Sequence, residues 1–134
     1  MAKWIIKAAA MSGAISVALG AIGAHTLKNI LSEPHRLMWE KAVHYQIFHT
    51  FALWICFFLI HTFPQATQAH KRVEQAAYLF LTGIFCFSGS LYLLSTREIT
   101  GISGSIIGPI TPLGGTVWII AWLLLFFHSK SFFK

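Results

Sequence analysis

The chain has 134 residues, of which 56% are hydrophobic and only 10% are charged. A soluble domain usually carries about 25% charged residues, so this composition excludes a soluble globule, and about 20 residues per membrane span leave no room for a large enzyme domain. The formal net charge is +6, but the basic residues are scattered along the chain, whereas nucleic-acid binding needs a clustered basic surface. We therefore expect a membrane protein that does not bind nucleic acid.

The first predicted span covers about residues 4–24, and two lysines flank its start. A basic start followed by an apolar stretch also fits a secretory signal peptide, but we expect this segment to be retained as a span. Small residues follow one side of its helix, among them Ser16, Gly20 and Gly23. Because hydrophobic attraction between helices is weak in lipid, spans associate by close approach across small side chains. We therefore predict that these three residues are helix-packing positions.

The second predicted span covers about residues 45–63 and stops at Pro64. Its helix is expected to begin earlier, with Ser32 as N-cap and Pro34 in the first turn, where these residue types are favoured. His49 lies about one turn inside the span, and an ionisable side chain inside a membrane is a functional candidate. The structural alternative is a neutral histidine that is hydrogen-bonded to a hydroxyl or carbonyl group of the bundle.

The third and fourth predicted spans cover about residues 76–94 and 110–127, with a loop rich in Gly and Ser between them. Further predicted packing positions in these spans are Gly83, Gly89, Gly114 and Gly115. The four spans predict an all-α integral membrane four-helix bundle with antiparallel neighbours, in which one domain covers residues 1–134.

Alternating spans place both termini and the 64–75 loop on the same side of the membrane. That side carries six basic residues and the other side four. Cytoplasmic loops are enriched in Lys and Arg, so we expect a multi-pass protein of the inner (plasma) membrane with both termini in the cytoplasm.

Uncharged polar residues gather in one half of the membrane, which this orientation makes the outer half. The predicted pocket residues are His25, Tyr45, Gln46, His49, Ser88, Ser90, Tyr92 and Thr111. They lie next to helix breakers at 112–115, and irregular backbone at membrane depth is tolerated where it is buried or lines a cavity. A shared polar pocket is one interpretation, and a polar network that only locks the bundle is the other.

Four motifs occur in order along the chain: Gly20-Ala21-Ile22-Gly23-Ala24-His25, Ala42-Val43-His44-Tyr45-Gln46-Ile47-Phe48-His49, Phe87-Ser88-Gly89-Ser90-Leu91-Tyr92 and Thr111-Pro112-Leu113-Gly114-Gly115. In these motifs the chain resembles the small four-helix membrane proteins typified by bacterial YgdD and YwdK, which have a small vertebrate transmembrane relative. The resemblance covers almost the whole chain. It implies a membrane protein of unassigned biochemical function and supplies no catalytic residues.

Three functions are compatible with these observations. The first is a non-enzymatic accessory or small-ligand-binding bundle without a cofactor, because the sequence shows no nucleophile with a neighbouring base. The second is a small transporter or channel that relies on His49. The third is a haem- or metal-binding redox protein with His25 and His49 as ligands. The expected partners are the lipid bilayer and either a second copy of the chain or another membrane protein.

Overall fold

The computed structural model describes residues 3–62 and 67–128, and all regular elements in these ranges are helices. In chain order they are α1 (Lys3–His25), α2 (Glu33–Thr62), α3 (Gln68–Gly83), the π-helical segment π1 (Ile84–Gly89), α4 (Ser90–Ser95), α5 (Arg97–Thr100), α6 (Gly104–Ile107) and α7 (Ile110–His128). Four stretches are long and apolar enough to cross a membrane, namely α1, α2, the continuous helix α3–π1–α4, and α6–α7. The predicted all-α four-helix architecture is therefore confirmed.

The α2 helix begins at Glu33, twelve residues before the apolar span predicted from the sequence. The carbonyl of Ser32 accepts a hydrogen bond from the Arg36 N–H at 2.9 Å, which places Ser32 at the N-cap. Its hydroxyl, however, bonds to Nδ1 of His35 at 2.7 Å instead of to a backbone N–H. With 30 residues, α2 is about 45 Å long at 1.5 Å per residue, so its first turns extend beyond a hydrocarbon core of about 30 Å. Pro64, the predicted end of this span, lies outside the described residues.

The third span begins at Gln68, eight residues earlier than predicted. Thr67 caps this helix, because its hydroxyl accepts the N–H of His70 at 3.2 Å. Near its middle, the helix widens into the π1 turn and then continues as α4 to Ser95. Such single wide turns inside α-helices are frequent at functional sites, and the hydrophobic pattern gave no sign of this one.

The fourth span begins at α6, six residues before the predicted start. Gly101 ends the short α5 with a φ of 70°, a left-handed conformation that favours glycine at a helix C-terminus. The chain then turns back into the bundle through α6 and α7.

Hydrogen bonds between the spans show how they are arranged. Trp39 bonds to Leu19 and Gln46 bonds to Ser12, so α1 and α2 are antiparallel. The terminal end of the bundle carries Lys3, Thr62, Gln68 and His128, and the loop end carries His25, Glu33, Ser95 and Gly104. The α2 helix packs against α1 and against α3–π1–α4, and α7 packs mainly against α3 and π1.

The main hydrophobic core lies where α2, α3 and α7 meet, with the start of α1 added at the terminal end. Among its side chains, those of Ile5, Leu53, Val73, Phe80 and Trp118 are at most 3% exposed. A smaller cluster at the loop end contains Leu27, Leu31, Trp39 and Val43. Between these two clusters, at mid-depth, lie several buried polar side chains, among them Ser12, Gln46 and Thr50.

Candidate functional site

Gln46 is the centre of a polar network at mid-depth, and its side chain is only 4% exposed. Its Nε2 donates a hydrogen bond to the carbonyl of Ser12 at 3.0 Å. Its Oε1 accepts a hydrogen bond from the Tyr92 hydroxyl at 2.8 Å. One amide side chain of α2 therefore joins α1 to α4.

Two hydroxyl groups extend this network toward the terminal end. The Thr50 hydroxyl donates to the Gln46 carbonyl at 2.8 Å, and it lies 2.7 Å from the hydroxyl of Ser12. Since the Thr50 proton is already used, Ser12 donates in the second bond. Ser12 and Thr50 were not among the predicted pocket residues, although Ser12 continues the small-residue face of α1 and Thr50 lies one turn from Gln46.

A groove of about 310 Å³ lies between α1 and the α3–π1–α4 helix, with Gln46 and Tyr92 among the residues that line it. Its apolar walls include Ala8, Met11, Ile15, Leu19, Leu81 and Phe85. Met11 and Phe85 form the rim and are 62% and 71% exposed. Because the rim belongs to two membrane spans, the groove opens sideways, toward lipid.

Two features determine where this groove closes and where it is open. At the terminal end, the ring of Trp4 stacks on Tyr78 with centroids 4.3 Å apart, so α1 and α3 touch there. Further along, Gly89 contributes no side chain. A Cβ at this position would have only the carbonyl oxygen of Ile84 as a near neighbour, at 4.0 Å. Gly89 was predicted as a helix-packing position, and the structure corrects this: it borders the groove.

His49 lies on the other side of α2, facing α7, and is 4% exposed. Its Nδ1 bonds to the carbonyl of Tyr45 at 2.8 Å, and its Nε2 accepts the indole N–H of Trp122 at 3.4 Å. A carbonyl can only accept and an indole N–H can only donate, so the ring is a neutral imidazole with its proton on Nδ1. The ring also stacks on Trp118, with centroids 3.5 Å apart and planes within 3°. Both nitrogens are therefore engaged within the bundle.

His25 does not join this cluster. It is exposed at the loop end of α1, thirteen residues beyond Ser12, which corresponds to about 20 Å along a helix. The expectation that His25 and His49 could ligate one haem or metal ion is thus corrected. Among the described residues, no group of three or more His, Cys, Asp or Glu side chains could hold a metal ion.

The remaining predicted pocket residues fall into separate places. Ser90 donates to the Phe87 carbonyl at 2.9 Å and bonds to the Thr111 hydroxyl at 2.7 Å, which ties α4 to α7. Tyr45 is partly exposed and its ring lies 5.9 Å from that of Trp118. Ser88 is completely buried, and its hydroxyl finds no partner within the ranges described. Of the predicted pocket residues, Gln46 and Tyr92 therefore line the floor of the groove. His49, Ser90 and Thr111 instead form hydrogen bonds that hold helices together.

Most predicted packing positions lie at close helix contacts. A Cβ on Gly23 would collide with the indole of Trp39, and one on Gly83 would collide with the indole of Trp118. Gly114 lies directly against the backbone of π1 at Phe87. At Gly20 and Gly115 the nearest side chains, those of Val43 and Phe87, would be 3.7 and 3.6 Å away, and Ser16 is buried with its hydroxyl on the Gly13 carbonyl.

A second polar cluster, at the loop end, was missed by sequence reasoning. The buried ring of His35 accepts the Nε–H of Arg97 on its Nε2 at 3.1 Å. Its Nδ1 lies 3.1 Å from a carboxylate oxygen of Glu98 and 2.7 Å from the Ser32 hydroxyl. In a catalytic relay the hydroxyl and the carboxylate bond to opposite ring nitrogens, whereas here both bond to the same one. The cluster fastens α5 to the start of α2, and 62 residues separate its two halves in the sequence.

Comparisons with known proteins place this architecture among membrane proteins of unknown function. The family described as "Protein of unknown function (DUF423)" matches residues 19–115. The chain is similar to a UPF0382 membrane protein of Staphylococcus haemolyticus, with 37% identity over 97% of this chain and 98% of the relative. It is 36% identical to the UPF0382 membrane protein YwdK of Bacillus subtilis, over 92% of this chain and 93% of the relative. It is 38% identical to a UPF0382 membrane protein of Haemophilus influenzae, over 91% and 92%. No solved structure matches.

Proposed function

The chain belongs to the DUF423 family of membrane proteins, and on that premise we propose that it is a non-enzymatic helix bundle that binds a small, membrane-soluble ligand in the groove between α1 and α3–π1–α4. The groove carries this proposal. Small-molecule sites are concave, mostly apolar, begin at about 300 Å³ and carry a few polar groups that orient the ligand. A space of about 310 Å³ with a hydrogen-bonded floor thus has the size and lining of a ligand site.

The groove also indicates the class of ligand. Its walls are apolar and its rim residues, Met11 and Phe85, lie on membrane-facing sides of two spans. A water-soluble molecule would have to cross hydrocarbon to reach this rim. A ligand that dissolves in the bilayer can enter sideways from it.

Two of the three buried histidines within the described residues, His49 and His35, support a non-enzymatic role, while the third, His70, lies at the terminal end away from the groove and its Nδ1 has no partner there. His49 has one ring nitrogen on the Tyr45 carbonyl and the other on the Trp122 indole. His35 has its two nitrogens on Arg97 and on the Ser32–Glu98 pair. A general base needs a ring nitrogen within reach of a substrate proton, and neither ring offers one.

We further propose that the protein lies in the plasma membrane with its loop end outside and both termini in the cytoplasm. The excess of basic residues on the terminal side supports this orientation. The lipid bilayer would surround all four spans, and a second copy or another membrane protein would meet the exposed apolar face of α7, which includes Ile119, Leu123 and Phe126.

Photolabelling tests the ligand groove. The protein would be reconstituted in phosphatidylcholine nanodiscs with a long-chain hydrocarbon that bears a diazirine, and labelled residues would be mapped by mass spectrometry. We expect labelling to concentrate on Met11, Ile15 and Phe85 relative to Phe126, which is similarly exposed at 69% but lies outside the groove.

A groove-filling variant provides the matched control. Gly89→Leu projects a side chain into the groove from a helical position with no close neighbour, and should reduce labelling of Met11 and Ile15 several-fold. Ala10→Leu ends in the same side chain, adding three carbons where Gly89→Leu adds four, at an exposed position of α1 outside the groove, and should leave the labelling unchanged. Equal labelling of groove and outer surface, or equal effects of the two variants, would contradict the proposal.

A further inference from the structure

The hydrogen bonds of the groove floor run in one defined direction. The Ser12 carbonyl can only accept, so the Gln46 atom that faces it at 3.0 Å is the amide nitrogen. The amide oxygen, Oε1, consequently faces Tyr92, and the Tyr92 hydroxyl must donate to it. The second amide proton of Gln46 points to the hydroxyl oxygen of Ser12 at 3.4 Å.

The two remaining protons are also used within the protein. Thr50 donates to the Gln46 carbonyl, and Ser12 donates to Thr50. Every side-chain donor of the network therefore already has an acceptor. The capacity that is left over consists of lone pairs, because an amide oxygen can accept two hydrogen bonds and Oε1 of Gln46 accepts one.

Resting on the proposed function, we propose that the ligand of this groove is an apolar molecule with a single hydroxyl group, of the long-chain alcohol class, which donates its O–H to Oε1 of Gln46. The hydroxyl group of such a molecule donates the one hydrogen bond that the free lone pair of Oε1 can still accept. A ketone, ester or ether offers only acceptors, which would face lone pairs at the floor. The hydrocarbon chain of the alcohol would lie along the apolar walls.

The depth of the floor strengthens this assignment. Ser12 is the tenth of the 23 residues of α1, so the network lies close to the middle of that span. No water is present there to satisfy a polar group, so a hydroxyl that leaves the membrane interface for this depth needs a partner in the protein, and Oε1 supplies one. Placing a charged lipid headgroup at this depth costs free energy, whereas a hydroxyl group is neutral and its proton needs only one acceptor.

Competition against the diazirine hydrocarbon tests this inference with two small probes. Dodecanol and dodecyl methyl ether have the same chain, but only the alcohol can donate a hydrogen bond. We expect dodecanol to halve the labelling of Met11 and Ile15 at about tenfold lower concentration than the ether, since one well-placed hydrogen bond contributes on the order of a tenfold difference in affinity.

Two variants locate the acceptor. Gln46→Met keeps the length of the side chain but removes Oε1, so both probes should compete equally well. Tyr92→Phe keeps Oε1 and removes its internal donor, so the preference for the alcohol should persist. Folding of both variants would be checked by cooperative thermal unfolding. If Gln46→Met does not fold, Tyr92→Phe still locates the acceptor: a retained preference for the alcohol supports Oε1, and a lost preference would place the acceptor on the Tyr92 hydroxyl instead.

The outcomes separate the two proposals. Equal competition by alcohol and ether in the wild-type protein would overturn the assignment of a hydroxyl ligand and leave the groove as a hydrocarbon site. Failure of both probes, or an unlabelled groove because a second copy of the chain covers it, would overturn the ligand-binding function itself, and the alcohol assignment with it.

Discussion

Two tryptophans fill the space left by glycines on neighbouring spans. Trp39 lies over Gly23 and donates its indole N–H to the Leu19 carbonyl at 2.9 Å. Trp118 lies over Gly83 and donates to the Phe80 carbonyl at 3.1 Å. In both cases the indole N–H reaches a carbonyl about one turn before the glycine, so the absence of a side chain permits a hydrogen bond as well as close packing.

The contact at Gly83 leads to the first prediction at the residue scale. Gly83→Ala places a methyl group inside the indole of Trp118, which cannot move aside without losing its bond to Phe80 and its stack on His49. Overpacking of this kind costs about 1–3 kcal/mol, so we expect a lower free energy of unfolding in detergent. In the matched variant Gly115→Ala, the new methyl group meets the ring of Phe87 at an ordinary 3.6 Å.

Thermal unfolding of the two glycine variants would decide the point. Gly115→Ala should be as stable as the wild type or slightly more stable, since Ala restricts the unfolded chain. If both substitutions changed stability by the same amount, Trp118 would not be held as tightly over Gly83 as the structure shows.

At the scale of elements, the π1 turn determines how the third span meets its neighbours. Gly114 of α7 lies against the π1 backbone at Phe87. Beyond π1, α4 directs Ser90 toward Thr111 and Tyr92 toward Gln46. A π turn holds one more residue than an α turn, so π1 takes up one extra residue and α4 keeps the rotation that an uninterrupted α-helix without that residue would have.

Single-residue deletions test this function of π1. Deleting Cys86 removes the extra residue and leaves a regular α-helix in which Tyr92 keeps its direction, so we expect cooperative unfolding to be retained. Deleting Thr82, in the regular part of α3, rotates everything after it by about 100°. That rotation breaks the bonds of Ser90 and Tyr92, each worth about 0.5–1.5 kcal/mol, and moves apolar contacts out of register.

Detergent melting curves of the two deletion variants provide the measurement. The Thr82 deletion should be far less stable than the Cys86 deletion. The opposite order would show that the wide turn does not compensate for an extra residue.

At the scale of the whole molecule, the groove results from unequal separation of two spans. At the terminal end α1 reaches α3 through Trp4 and Tyr78. Towards the loop end α1 follows α2 instead, held by the bonds of Gln46 to Ser12 and of Trp39 to Leu19. The space that this leaves between α1 and α3–π1–α4 is the groove, which is lined by apolar residues and has the Gln46–Tyr92 bond at its floor.

Cysteine labelling tests the proposed orientation of the molecule. Thr100 is exposed at the loop end and Gln68 is exposed at the terminal end. With a membrane-impermeant maleimide, Thr100→Cys should react in intact cells and Gln68→Cys only after the cells are permeabilised. The wild-type chain, with Cys56 buried and Cys86 half-buried in the spans, gives the background. Labelling of Gln68→Cys in intact cells would mean that the termini face outward.

The sequence by itself determined the number of spans, the all-α class and the approximate span limits, because hydropathy is a sum over neighbouring residues and needs no knowledge of the fold. It also indicated residues such as Gly83 and Gly114 as packing positions, since small side chains at helical spacing have few other uses in lipid. The start of α2 was predicted from its N-cap, Ser32, whereas the start of α3 was not, because that helix begins in a polar turn that Thr67 initiates outside the apolar stretch.

Only the tertiary structure decided which polar residues meet. The rotation of each span about its axis is set by packing, and π1 takes up one extra residue midway along the third span, which a count of 100° per residue along the sequence misses. For this reason Gln46 and Tyr92 pair across the groove, His49 turns to Trp118, and His25 remains apart at the loop end. The contact of His35 with Arg97 spans 62 residues, and local sequence patterns carry no information about which residues a closed bundle brings together over such a separation.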